Sequence, residues 1–208
     1  MTTFDPIPFL VPPLAWPTRS RCLFSHPERY VARTRANPLY GMPGWTRDCG
    51  RRFHRGVDIA PVRMEPSGEN VTVMYSDCHT GREYPFEEDG WIPVDEVYAV
   101  VEGEVVEANP NPEASDLGVY VAIRHRVGDC LFYTLYAHLA DLTVTAGQRL
   151  RTGTLLGPMG QTSRSEDARR WMAVSPHLHF EVLSETGRAY DPLEFLRKGL
   201  ALEREQPS

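Results

Sequence analysis

The chain is almost without lysine: Lys198 is the only one among 208 residues, and arginine supplies the rest of its side-chain cations. Genomic base composition accounts for such a bias, but it excludes any chemistry that needs a modifiable lysine inside the fold. No run of about 18 apolar residues occurs, so no membrane-spanning helix is expected. The net charge is −6, which argues against a nucleic-acid partner, because gripping phosphates needs a basic patch. Cys22, Cys49, Cys78 and Cys130 are scattered and form no C-x-x-C pair. That excludes a zinc knuckle and a dense disulfide framework, and leaves room for one or two bridges. H-E-x-x-H is also missing, and with it the helical zinc site that uses glutamate as base. The apolar opening from Ile7 to Trp16 is broken by Pro8, Pro12 and Pro13 and follows no basic residue, so it does not fit a secretory signal. Cellular compartment and oligomeric state are not written in the residues.

What is present is mostly strand. A chain of this length suits one domain that buries about 70% of its unfolded surface. Residues 1 to about 45 are rich in proline and arginine and hold no sustained period, so they read as an irregular extension lying on the domain, with a short helix possible over Pro27 to Arg35. From Phe53 onward, β-branched and aromatic runs alternate with glycine, proline and asparagine, the pattern of an all-β domain. Strands are expected at Val57 to Ala60, Val71 to Tyr75, Val97 to Val101, Val105 to Ala108, Val119 to Arg124, Leu131 to Tyr136 and Leu178 to Leu183. A helical turn or two follows from Pro192 to Lys198, with Asp191 as N-cap. The glycine-punctuated segment Val144 to Gly157 resembles lipoyl and biotinyl carrier domains. Those carriers need a lysine in a hairpin, and Lys198 lies in the C-terminal tail, which removes that function.

Chemistry concentrates in three places. In Ser175-Pro176-His177-Leu178-His179-Phe180-Glu181-Val182, strand geometry sends His177 and His179 to one face, roughly 7 Å apart, and Leu178 and Phe180 to the other. Two imidazoles aimed at one spot suit a metal, a general base, or one of each. Glu181 shares their face, either orienting an imidazole or standing as a solvated carboxylate. Upstream, Phe53-His54-Arg55-Gly56-Val57-Asp58 offers an imidazole and a carboxylate four residues apart, and Tyr136-Ala137-His138-Leu139 offers a further histidine. His26, His79 and His125 read as structural, and Arg52 and Arg55 as surface residues.

In this order, His54-x-x-x-Asp58, Val97 to Gly103, Tyr136-Ala137-His138-Leu139, Gly147 to Gly157 and His177-Leu178-His179 resemble the lysostaphin-type, LytM-like zinc endopeptidases of peptidoglycan, over about residues 49 to 196. The resemblance implies a compact, mainly antiparallel two-sheet sandwich of the duplicated-hybrid-motif (barrel-sandwich hybrid) type over residues 46–198. It implies Zn2+ held by His54, Asp58 and His179, with His138 and His177 as catalytic histidines that do not bind the metal. Three protein ligands leave a fourth position for water, whose pKa the metal lowers toward about 7. The implied substrate is a peptide bond in peptidoglycan cross-links or stem peptides. The alternative is a catalytically inactive relative that binds wall or activates an amidase; such relatives generally lose ligands or catalytic histidines, and all five positions are filled here. An insertion of about residues 62–94 departs from short family members and reads as a hairpin that either walls the cleft or covers a sheet edge. Residues 199–208 read as a tail.

Overall fold

The computed structural model describes residues 3–18, 31–32, 39–64, 70–72, 95–164 and 177–203. Chain alternation builds one large antiparallel sheet. Its strands are β3 (Val57–Ile59), β7 (Gly103–Asn109), β8 (Val119–Val127), β9 (Cys130–Leu139), β10 (Arg149–Leu150), β12 (Leu178–Ser184) and β13 (Ala189–Tyr190). The spatial order is β10-β7-β8-β9-β12-β13, with β3 also paired to β12. In β8 the reason is plain: Val119, Val121, Ile123 and His125 are buried, while Arg124 and Arg126 between and beyond them are exposed.

Three ribbons complete the described strands: β1 (Gly44–Arg47) with β2 (Arg52–His54), β4 (Val62–Met64) with β5 (Asn70–Thr72), and β6 (Glu96–Tyr98) with β11 (Leu155–Pro158). The β6–β11 ribbon supplies Val97 and Leu156 to the same core as Val121, Tyr136 and Phe180 of the large sheet, which makes the second layer of an all-β sandwich. In the insertion β4 pairs with β5, which covers the start of the strand expected at Val71 to Tyr75; residues 65–69 and 73–94, with the rest of the expected hairpin, lie outside the described residues. His54 and Asp58 do not share a strand. Arg55 and Gly56 separate β2 from β3, and the two strands belong to different sheets.

Both ends of the chain are more deeply built in than expected. Val11, Leu14 and Trp16 belong to the core, and Pro17 O accepts the backbone N–H of Tyr98 at 2.8 Å. Val31 bridges Ile59 as a strand residue, while the rest of the helix proposed over Pro27 to Arg35, Ala32 apart, lies outside the described residues. The helix α1 runs Pro192–Glu203, past Lys198, because Leu200 is fully buried and Gly199 packs on Leu14 so closely that a Cβ there would lie 2.2 Å from Leu14 Cγ. Asp191 Oδ1 accepts the N–H groups of Leu193 (2.9 Å) and Glu194 (3.2 Å), the expected N-cap. Cys49 and Cys130 are free thiols; Cys22 and Cys78, with His26 and His79, lie outside the described residues.

His125 is structural. Its Nδ1 donates to Glu102 O at 2.7 Å, since a carbonyl can only accept, so its Nε2 accepts from Thr134 Oγ1 at 2.7 Å. The ring stacks on Phe132 with centroids 4.8 Å apart. Burial outweighs the Glu102 hydrogen bond and pushes its pKa down to about 4. The unfolded chain takes up a proton near pH 6.5 and the folded one does not until about pH 4, so His125 contributes stability above pH 6.5 that is lost as pH falls. That loss amounts to roughly 3 kcal/mol. Urea melts between pH 7.5 and 4 will show a steeper loss for the wild type than for His125→Gln; equal slopes would remove His125 from the acid response.

Candidate metal centre

The cluster is assembled by strand register. In the pairing of β12 with β3, His179 stands directly opposite Asp58, and on its other side it faces Ala137 of β9, whose small side chain leaves room for the ring. Val57, Ile59, Leu178 and Phe180 point the other way and are fully buried in the core. Register therefore places Asp58 and His179 on one face together. His54 enters from the end of β2, and the ligand atoms of His54, Asp58 and His179 all lie within 4.8 Å of one another.

Each imidazole has its tautomer set by a second hydrogen bond. His54 Nδ1 donates to Met42 O at 2.8 Å, which leaves the Nε2 lone pair facing the cluster. His179 Nε2 lies 3.0 Å from Glu181 Oε1, and its Nδ1 faces the cluster. Glu181 therefore takes the orienting role, and Arg55 lies 3.4 Å from its other oxygen. Within the cluster, His54 Nε2 is 3.2 Å from His179 Nδ1 and 3.2 Å from Asp58 Oδ1, and His179 Nδ1 is 2.9 Å from Asp58 Oδ1. Donors bound to a tetrahedral zinc at about 2.0–2.1 Å stand roughly 3.3 Å apart, so two nitrogens and one carboxylate oxygen fit that ion.

Gly56 makes the approach possible. A Cβ there would lie 2.5 Å from His179 Cε1, 2.7 Å from its Nε2 and 2.8 Å from Phe180 O. Electrostatics follow the packing. Burial by itself would raise the Asp58 carboxyl, but the charges of Arg47, His177 and His54 and the His179 hydrogen bond hold it well below the usual carboxylate range. For His179, burial is outweighed by Asp58 and Glu181, which hold the imidazole up at about 9. Burial also opposes ionisation of Glu181, and the His179 hydrogen bond reverses it.

The two remaining histidines line the same face. His138 and His177 have ring centroids 4.8 Å apart, His138 and His179 5.8 Å, and His177 Nε2 is 3.7 Å from Asp58 Oδ1. Simple alternation along β9 would give His138 the core face of Tyr136. A bulge prevents it: Val119 pairs with Leu139 but Val121 with Tyr136, so β9 carries one extra residue, and His138 takes a left-handed φ of 64°. Its Nδ1 donates to Thr162 O at 2.8 Å, which leaves Nε2 as the ring's lone-pair nitrogen. Burial, with the neighbouring His177 and His179, pushes its pKa down to about 3, so the ring is neutral.

The five residues singled out in the sequence are thus brought together. Arg52 pairs with Asp48 at 2.8 Å, as a surface residue would. Sequence reasoning missed Arg47, which is buried and bonded to Asp58 Oδ2, and the segment before it. Tyr40 stacks on Arg47, Gly41 O accepts the Asp58 N–H at 2.9 Å and Met42 O accepts from His54. In a chain so rich in arginine, nothing marked Arg47 apart; its tie to Asp58 crosses eleven residues and two sheets.

An all-β scaffold that presents a His-Asp-His cluster beside two further imidazoles has the architecture of a mononuclear metallohydrolase domain. The profile of peptidase family M23 matches residues 90–192, and the chain belongs to that family, in its lysostaphin-type, LytM-like branch. The matched stretch contains His138, His177 and His179, whereas His54 and Asp58 precede it and join the cluster by geometry. Stage II sporulation protein Q of Bacillus subtilis (strain 168) is 31% identical over 103 residues, covering 50% of this chain and 32% of that protein. The peptidoglycan DD-endopeptidase ShyB of Vibrio cholerae serotype O1 is 33% identical over 87 residues, covering 42% of this chain and 17% of that protein. The match thus spans a third or less of either curated relative's length. A chain in the structure of the SpoIIQ–SpoIIIAH pore-forming complex superposes with a TM-score of 0.52 at 19% identity, over 95% of this chain and 99% of that one, which shows a common fold.

Two measurements check the cluster. His54→Ala, Asp58→Ala and His179→Ala will each lose bound zinc by elemental analysis, because two remaining donors compete poorly with buffer; stoichiometric zinc in all three would overturn the ligand set. Gly56→Ala, which displaces the His179 ring, will weaken zinc binding by roughly tenfold in a chelator competition, with circular dichroism unchanged.

Proposed function

We propose that the protein is a zinc-dependent endopeptidase that hydrolyses peptide bonds in peptidoglycan cross-links or stem peptides. The observation that carries this reading is the convergence of His54 Nε2, Asp58 Oδ1 and His179 Nδ1 on one point, with His138 and His177 on the same face. Membership of peptidase family M23 and the likeness to a peptidoglycan endopeptidase support it. Zinc held by the three donors would acidify a water molecule and polarise the scissile carbonyl. The remaining work falls to the chain. His138, neutral and fixed by Thr162 O, offers its Nε2 lone pair to a proton leaving that water. His177, with Nε2 near Asp58, is placed to donate a hydrogen bond to the oxyanion that develops on the substrate. Glu181 and Met42 O keep the two ligand imidazoles oriented through the cycle.

A second reading is a non-hydrolytic module that binds wall or a partner protein, and the similarity to stage II sporulation protein Q favours keeping it in view. Digestion separates the two. The zinc-loaded protein is incubated with purified peptidoglycan, and released muropeptides are identified by mass spectrometry. New amino and carboxyl termini at a peptide bond support the enzyme; intact cross-links at full zinc occupancy overturn it. His138→Ala and His177→Ala will keep zinc and lose hydrolysis by roughly a hundredfold or more. Loss of zinc in either variant would make that histidine a ligand instead.

A further inference from the structure

Asp58 divides its two oxygens between different partners. Oδ1 faces the imidazoles, at 2.9 Å from His179 Nδ1, 3.2 Å from His54 Nε2 and 3.7 Å from His177 Nε2. Oδ2 is bonded to Nη2 of Arg47. The Arg47 side chain is only 8% exposed, and its guanidinium Cζ lies 3.7 Å from the centroid of the Tyr40 ring. The cation is thus held between a carboxylate and an aromatic face, on which a planar guanidinium stacks.

The backbone is bent to bring it there. Trp45 pairs with Phe53, and Arg47 pairs with Arg52, so β1 carries one extra residue at Thr46. Without that bulge, alternation would send Arg47 to the face of Trp45, away from His54. With it, Arg47 joins the face of His54, and its Nη2 lies 3.2 Å from His54 Nε2.

A carboxylate whose oxygens are both free can bind a metal through one or both. We propose that Arg47 is a positioning residue that occupies Oδ2 of Asp58, so that the aspartate offers a metal only Oδ1 and the centre keeps a position open for water and substrate. Arg47 also neutralises a carboxylate that is 1% exposed, and Tyr40 keeps the guanidinium from turning away. This inference rests on the metal-centre reading above.

The test uses the full chain, wild type beside Arg47→Met and Arg47→Lys, with three measurements. These are zinc affinity by competition with a chromophoric chelator, the visible absorption of the Co2+ form, and thermal melting in excess chelator. Arg47→Met will bind zinc about tenfold to a hundredfold more weakly. Its Co2+ bands will lose intensity as Asp58 turns a second oxygen to the metal and the coordination number rises. Arg47→Lys, which keeps the charge without the fork, will recover part of the affinity, and both variants will remain folded in chelator. Wild-type affinity and spectrum in Arg47→Met would overturn the inference while leaving the metal centre intact. So would metal-free unfolding of both variants, which would make Arg47 a structural residue only. If the wild type takes up neither zinc nor Co2+, the metal-centre reading fails first and this one with it.

Discussion

A carboxylate buried to 1% exposure is the constraint around which this molecule is arranged. Taking such a charge out of water costs several kcal/mol unless close partners compensate it. Asp58 has them on both oxygens: the Arg47 guanidinium on Oδ2 and His179 Nδ1 at 2.9 Å from Oδ1, while its backbone N–H goes to Gly41 O. Its own carbonyl accepts from Ala32 N at 2.7 Å. Strands β1, β2, β3 and β12 and the segments around Ala32 and Gly41 all meet at this one residue. The compensation fixes their mutual positions to within hydrogen-bond tolerance, as a metal centre requires.

The same logic explains why the region before β1 is not decoration. Tyr40, Gly41 and Met42 each hold a different part of the centre, through Arg47, the Asp58 backbone and the His54 ring. Further back, Val11, Leu14 and Trp16 fill core space beside α1 and the β6 region, so these residues are part of the core. A segment rich in proline forms few ladder hydrogen bonds of its own and shows no period, which is why its packing could not be read ahead of the fold.

Two bulges do complementary work. The one in β9 turns His138 out of the core face and into the cleft, and the one in β1 turns Arg47 toward Asp58. Side chains alternate strictly only while both strands advance one residue at a time, and a single extra residue reverses which face the following positions occupy. Of the four register shifts among the described strands, these two lie where chemistry needs a residue that alternation would have sent elsewhere.

What the residues alone determined is the part governed by local periodicity and by side-chain chemistry. Alternating β-branched runs specified β3, β7, β8, β9 and β12 and parts of β5 and β6, but not β4, β10 or β11; Asp191 before Pro192 specified a helix start, and the His-x-His and His-x-x-x-Asp spacings marked His54, Asp58, His177 and His179. These patterns are legible because the pleat and the cap act within a few residues. Tertiary structure alone decided that His54 and Asp58 sit on separate strands, that Glu181 orients His179, and that Arg47 and Met42 complete the centre. Those contacts depend on register, bulge position and the packing of distant segments. Each is a sum over many residues, and no single stretch of sequence contains it.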